Sequence, residues 1–246
     1  MNEPVWLRLG PLALRESLLL SLAVSLLLVL AAGLLQRRSA RAAGGVAPGA
    51  ELVVGLMQDA IAEVVPPSAV ERVLPFVGTL WLFIVVSNLL GLVPGLSAPT
   101  RDLSVTGALA LLVFAAVHVY GVRAAGWRAY LAHYLKPSPI LLPFTVISEL
   151  TRTLALAIRL FGNMMSLEMA ALLVLLVAGL LVPVPLLLLH VVEALVQAYI
   201  FGMLALIYIG SAIEVGGERV AAASARPVAA SEPPTPAARK DPEESA

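Results

Sequence analysis

The chain has 246 residues, 60% of them hydrophobic and 13% charged, with sixteen basic residues balancing sixteen acidic ones. A soluble domain carries about 25% charged and about 45–50% apolar residues, and a globule of this length buries only about 70–75% of its surface, too little to hide this much hydrocarbon. Composition therefore excludes an ordinary soluble enzyme, zero net charge removes the basic footprint of a nucleic-acid binder, and the absence of cysteine removes disulfides, thiolate chemistry and Cys-based metal sites.

In chain order, the first apolar run, Ser17 to Leu35, is long enough for one membrane crossing and ends at Arg37, Arg38 and Arg41. A cleaved signal peptide is the alternative, since Arg8 and Arg15 precede the run. Its length exceeds a signal core of about 7–15 residues, and the denser basic cluster follows rather than precedes it, so a retained helix is expected. A Gly/Ala/Pro linker, Ala42 to Ala50, comes next. From Glu51 to Arg72, the acids Asp59, Glu63 and Glu71 alternate with Leu52, Val53, Leu56, Met57 and Ile61 at the spacing of an amphipathic surface helix.

Two further crossings are expected at Leu74–Val93 and Leu103–Val122, with Pro94, Gly95 and Pro99 marking the turn between them. Arg123, Arg128, His133 and Lys136 then form a polar loop, with Trp127, Tyr130 and Tyr134 as interface aromatics. Phe144 to Leu180 contains no proline and reads as one helix of roughly 55 Å, against a hydrocarbon core about 30 Å thick. Pro183 and Pro185 break the chain before a second long apolar stretch, Leu186 to Ile213. Gly216 to Ala246 is rich in Ala, Pro, Ser and Glu and is expected to be disordered.

The predicted fold is thus an all-α polytopic membrane protein. It has about five transmembrane helices, the last two long and steeply tilted, plus an amphipathic surface helix. Its segments are an N-terminal transmembrane helix (1–41), a linker with the surface helix (42–73), a transmembrane hairpin with its loop (74–136), the long helix pair (137–215) and the tail (216–246). Charge orients it. With the N-terminus outside, the cytoplasmic segments hold Arg37, Arg38, Arg41, Arg72, Arg123, Arg128, Lys136, Arg219, Arg226, Arg239 and Lys240, against Arg8, Arg15 and Arg101 outside. That asymmetry obeys the positive-inside rule, and the reverse topology violates it.

Two basic residues remain, Arg152 and Arg159, inside the long apolar stretch together with Glu149, Asn163, Ser166 and Glu168. Arg152 can snorkel or pair with Glu149 at i, i−3. Arg159 is flanked by Leu154–Ile158 and Leu160–Phe161, where a guanidinium costs about 2.5–3.5 kcal/mol on insertion scales and stays protonated. A carboxylate of its own chain is the bland explanation. Helical geometry argues against Glu168 in that role, because nine residues place it about half a turn round from Arg159. Arg152, Arg159, Asn163 and Ser166 instead form one polar stripe. On the last helix His190, Glu193 and Gln197 form another, suited to a wet ion path or to hydrogen-bonded packing.

Arg159-Leu160-Phe161-Gly162-Asn163-Met164, followed by Glu168, resembles the signature of subunit a of the rotary F-type ATP synthase. Ser87-Asn88-Leu89-Leu90-Gly91-Leu92-Val93-Pro94-Gly95 resembles that family's second-helix ending. Pro137-Ser138-Pro139 with Leu141-Leu142-Pro143 resembles the approach to its long helix, and Gln197-Ala198-Tyr199-Ile200-Phe201 its last-helix motif. The resemblance runs from about Glu51 to Glu214. Departures are Thr153 where many members have proline, the extra acid Glu193, Asp102 where members carry Asn or Asp, and the Pro/Ala tail. Together these look like the second, sodium-type synthase that some bacteria carry.

The resemblance implies a non-catalytic stator subunit in the bacterial inner membrane, with no cofactor and no metal site. Its implied partners are the rotating ring of c subunits, the subunit b peripheral stalk, the lipid bilayer and, indirectly, the F1 head. Arg159 would face the ring carboxylates. Glu168, His190 and Gln197 would serve the ion path or support Arg159, with Asn163 behind them; Glu193, not a family feature, is expected in the ion path from its place on the His190–Gln197 stripe. No Gly-rich phosphate loop is found, so no nucleotide site is expected. A self-contained secondary transporter is the rival class, but no internal repeat is evident. An intramembrane enzyme would need a motif such as His-Glu-x-x-His or Gly-x-Ser-x-Gly, and neither occurs.

Overall fold

A computed structural model of the chain describes residues 5–9, 12–41, 48–93, 96–128, 130, 142–178 and 184–224. The linker at 42–47, Pro94–Gly95, His133, Tyr134, Lys136, the Pro137–Leu141 motif, Pro183 and the tail beyond Ser224 lie outside the described residues. Six α-helices make up the body: α1 (Glu16–Arg41), α2 (Pro48–Ala62), α3 (Pro67–Leu90), α4 (Leu103–Ala125), α5 (Leu142–Ala178) and α6 (Val184–Ser224). A 3-10 turn at Pro99–Arg101 precedes α4. A short antiparallel hairpin ahead of α1 pairs Val5–Leu9 with Leu12–Arg15 and was not foreseen in the sequence. Of the described helices α1, α3, α4, α5 and α6 are long and apolar enough to cross a membrane. The all-α, five-span expectation therefore holds for the bundle.

The single surface helix expected over 51–72 is divided. Helix α2 stops at Ala62 and α3 begins at Pro67, so Glu71 and Arg72 belong to α3 and its span starts before Leu74. Pro66 and Pro67 supply the reason. Neither has an N–H to donate, the residue before a proline is pushed out of helical geometry, and Pro67 at the first helical position is preorganised for a new start. The break lets Ile61 and Val65 fold under the bundle against Val73, Val77 and Trp81 of α3 and Leu206 and Ile209 of α6.

The two long helices appear as expected. Helix α5 has 37 residues and α6 has 41, about 55 and 61 Å at 1.5 Å per residue. Thr153 leaves α5 unbroken, its hydroxyl donating back to the Glu149 carbonyl at 2.9 Å. Helix α6 continues to Ser224, past the expected Ile213, so the first residues assigned to the tail are helical.

Helix α6 packs mainly on α3 and α4, and α5 mainly on α4, while α5 and α6 touch each other more sparingly. Leu156, Ala157 and Leu160 of α5 meet Ala198, Phe201 and Ala205 of α6 over Leu80, Ile84, Ala110 and Val113. The α3–α6 contact depends on Gly202, where a Cβ would overlap the Trp81 indole. The Trp81 ring N–H donates to the Tyr199 carbonyl at 3.4 Å and its plane stacks on the Tyr199 ring.

Candidate functional site: three polar stations along the helix bundle

At the end of the bundle that carries the α3–α4 connection, polar groups gather around the Pro99–Arg101 turn. Asn88 lies in the last turn of α3, fully buried. Its side-chain oxygen accepts from Thr100 Oγ1 at 2.7 Å and its amide donates to the Ala194 carbonyl of α6 at 3.5 Å. The backbone carbonyl of Asn88 is one of those a helix end leaves without an α-helical partner, and it faces His190 Nε2 at 3.2 Å. A carbonyl only accepts, so Nε2 is the nitrogen that donates in this contact.

Beside this knot Arg101 and Glu168 form an ion pair at 2.6 Å, joining the turn to α5. Asp102 caps α4 by accepting from the Ser104 amide at 2.9 Å, and also accepts from Ser17 Oγ of α1 at 2.5 Å. A short polar turn thus ties α1, α3, α4, α5 and α6 together.

The second station is halfway along α5. Asn163 Nδ2 donates to Gln197 Oε1 at 2.7 Å, a direct bond between α5 and α6. Gln197 is buried, and its Nε2 finds no protein partner among the described residues; the same holds for Ser87 Oγ on α3. A turn from Asn163, Arg159 sits where α5 changes character: Leu156, Ala157, Leu160 and Met164 are buried, whereas Ala155, Ile158 and Ser166 are exposed. The Arg159 side chain is itself on the surface of the chain and makes no hydrogen bond or ion pair with any described residue. Glu193 on α6 is half-buried and also has no partner among the described residues.

The third station lies toward the opposite end, where α4, α5 and α6 enclose a small polar recess lined by His118, Glu149, Arg152, Thr153 and Tyr208 among apolar neighbours. His118 Nε2 is 3.4 Å from Glu149 Oε2, and its Nδ1 is 2.8 Å from the Phe114 carbonyl one turn back. Arg152 lies over the Tyr208 ring, 4.3 Å from its centroid. The expected Arg152–Glu149 pair does not form. The Tyr208 ring gives the guanidinium a cation–π contact, and His118 reaches Glu149 across the α4–α5 contact instead.

Sequence spacing put Arg159 and Asn163 on one polar stripe and His190, Glu193 and Gln197 on another, and the structure joins the two through the bond between Asn163 and Gln197. Arg159 and Glu168 are not paired, as their half-turn offset predicted. Arg101, Thr100, His118 and Tyr208 were missed as partners. For Arg101 the only signal was an unmatched charge beside a membrane-span turn, since Glu168 is 67 residues away.

Comparison with known proteins gives a consistent result. The family model described as ATP synthase A chain matches residues 18–210. The chain is 57% identical over 226 residues to ATP synthase subunit a 1 of Hahella chejuensis, covering 92% of this chain and 96% of that one. It is 59% identical over 206 residues to ATP synthase subunit a 2 of Pelobacter propionicus, covering 84% and 90%. Against ATP synthase subunit a of Legionella pneumophila strain Corby it is 62% identical over 164 residues, covering 67% and 71%.

Proposed function

The chain belongs to the ATP synthase subunit a family, a multi-pass component of the bacterial inner membrane, and from that premise we propose that it forms the stationary half of the ion path of F0, with Arg159 as its central charge. One observation carries the assignment. Arg159 is a permanently charged group in the middle of a membrane span, on the surface of the chain, with no partner among the described residues. A guanidinium exposed to lipid there is costly, and a carboxylate supplied by another chain removes the cost. The membrane carboxylate of a c subunit is that partner.

The mechanism follows from charge and solvation. A ring carboxylate crossing lipid stays neutral, with its ion bound, because an isolated buried charge is expensive. Opposite Arg159 the ionised form is favoured, so the ion is released. The fixed positive charge also repels cations that would otherwise leak between the two access paths. Asn163 and Gln197 hold α5 and α6 in register next to Arg159. The Gln197 amide favours water beside it, since its Nε2 is buried without a protein partner among the described residues.

Asn88, His190, Glu193 and the Arg101–Glu168 pair then form one access path from the α3–α4 end toward Arg159. Charge asymmetry makes that end the outside: Arg37, Arg72, Arg123 and Arg128 belong to the other end, leaving the N-terminus outside and the C-terminus cytoplasmic. Each unit charge moved across the membrane is worth about 2.3 kcal/mol per 100 mV. The c-ring turns this into rotation, the subunit b stalk holds this chain still, and ATP chemistry takes place on the F1 head. Proton or sodium is chosen by ligands on the c subunit. The numbered names of relatives, subunit a 1 and subunit a 2, support a place in a second synthase of its organism.

In membranes carrying the assembled complex, Arg159→Ala is expected to abolish ATP synthesis driven by an ion gradient while c subunits still co-purify with the chain. Near-normal coupled synthesis in that variant overturns the assignment.

A further inference from the structure

The ion path makes no use of the charged corner where α3 begins and α4 ends. Arg72 lies in the second turn of α3 and Arg123 in the last turn of α4. Between them the Tyr120 hydroxyl donates to the Arg72 carbonyl at 2.8 Å, and the Tyr120 ring leans on Phe76 with centroids 6.3 Å apart. Arg123 is close enough for its charge to act on the same hydroxyl. Both arginine side chains are exposed, and neither is paired with a carboxylate among the described residues. One tyrosine thus fastens two helix ends and gathers two fixed positive charges at one corner.

Away from the charges the same surface turns apolar. Val119 and Leu112, four and eleven residues before Arg123, share its face of α4, and both are about half exposed. Phe76 and Phe83 follow Arg72 at four and eleven residues and share its face of α3. Eleven helical residues span about 16 Å, close to one leaflet of a hydrocarbon core about 30 Å thick. At that depth Phe83 and Leu112 enter the lining of a cavity of about 400 Å³, completed by Leu18, Val105, Ala108 and Leu109. Helix α1 forms its outer wall. Ser21 and Ser25 on that wall donate back to the Leu18 and Ser21 carbonyls of their own helix at 2.8 and 2.9 Å, so their hydroxyl hydrogens are already engaged.

A surface with two cations at the membrane boundary, one leaflet of apolar wall below them and a mostly apolar cavity at the midplane has the form of a phospholipid. We propose that the α3–α4 groove binds one anionic phospholipid of the cytoplasmic leaflet. Its phosphate sits between Arg72 and Arg123, and one acyl chain runs past Val119 and Leu112 into the cavity behind α1. Charge selects the lipid class. A zwitterionic headgroup brings its own cation to the two guanidiniums, whereas an anionic one brings none, and each basic residue near a charged bilayer is worth about 1 kcal/mol. The inference rests on the orientation proposed above, which makes this end cytoplasmic, and not on the role of Arg159.

The experiment uses the whole synthase, purified in detergent and supplied with limiting phosphatidylglycerol that carries a photoreactive group at the end of one acyl chain. Phosphatidylcholine with the same chain is the comparison. After illumination and proteolysis, phosphatidylglycerol is predicted to label the peptides containing Phe83 or Leu109–Leu112 at least fivefold more than phosphatidylcholine does. Arg72→Gln and Arg123→Gln should each weaken that labelling about fivefold, the ratio equivalent to about 1 kcal/mol, and the double variant about 25-fold. Phosphatidylcholine labelling should not change.

Equal labelling by the two lipids overturns the proposal, as does full phosphatidylglycerol labelling in the double variant. Labelling of these peptides by neither lipid also overturns it, since a protein helix then covers the groove. The wild-type comparison decides the matter if a variant fails to assemble. Orientation is checked separately with Trp127→Cys, whose exposed position should react with a membrane-impermeant maleimide in inverted vesicles, where the bath contacts the cytoplasmic face. Reaction from the opposite face alone contradicts the orientation, whatever the lipids do.

Discussion

The polar knot around the Pro99–Arg101 turn and the guanidinium of Arg159 sit in the same bundle and obey opposite rules. In the knot, Asn88, Thr100, Arg101, Asp102, Glu168 and His190 each have a partner within the chain. Arg159 has none among the described residues. Satisfied polar groups in a low-dielectric interior fix geometry, since breaking one leaves its partner stranded. On the function proposed above, an unsatisfied charge held on the surface at mid-membrane instead takes its partner from another chain. Under that proposal the contrast separates residues that build the site from the residue assigned to work in it.

Substitutions can sharpen that contrast, and the largest effect falls on the working residue. Arg159→Ala should reduce gradient-driven ATP synthesis to background yet leave the thermal stability of the purified complex within a degree or two, about what a surface change without a partner costs. A large loss of stability would show that Arg159 is a builder after all. Next comes Gly202→Ala. Its methyl group would overlap the Trp81 ring, and overpacking of this kind costs about 1–3 kcal/mol. Lower thermal stability and lower yield of complex are expected, with normal synthesis per assembled complex.

Asn88→Leu should destabilise by a similar amount, about 1–3 kcal/mol, since Thr100 Oγ1 loses its acceptor inside the knot. Unlike the glycine change it should also slow transport, because the knot positions His190. Arg101→Gln is expected to be mildest. Its pair with Glu168 is partly exposed, so the stability change should be about 0–1 kcal/mol. The predicted phenotype is slower uptake that is less sensitive to ionic strength than in the wild type. A variant as salt-sensitive as the wild type would mean that the pair does not steer ions.

The sequence made the membrane spans legible because a crossing is a length: apolar runs can be counted, and the two long helices declared themselves at Phe144–Leu180 and Leu186–Ile213. Helical periodicity likewise put Asn163 and Arg159 on one stripe and His190 and Gln197 on another. The Pro66-Pro67 break was written in plain residues but was masked by the 3–4 spacing of apolar positions on both sides of it. Pairings such as Arg101 with Glu168 or His118 with Glu149 were not legible at all. They depend on how α4 and α5 pack, and no local spacing encodes a contact between residues on different helices. The Arg152–Glu149 expectation failed for the same reason: i, i+3 proximity was outcompeted by a histidine and a tyrosine brought in from α4 and α6.

Arg159 having its partner on another chain can be tested most directly by contact. The chain contains no cysteine, so single cysteines introduce no background. Cysteines at Ala155, Ile158 and Ser166, on the exposed side of α5 near Arg159, are combined with a cysteine one helical turn from the membrane carboxylate of the c subunit, and the assembled complex is oxidised. The account predicts disulfide bonds to c from these positions and none from Val85 or Val117, which face the interior of the bundle. Failure of all three positions to cross-link, with linkage from another face of the chain, would contradict it.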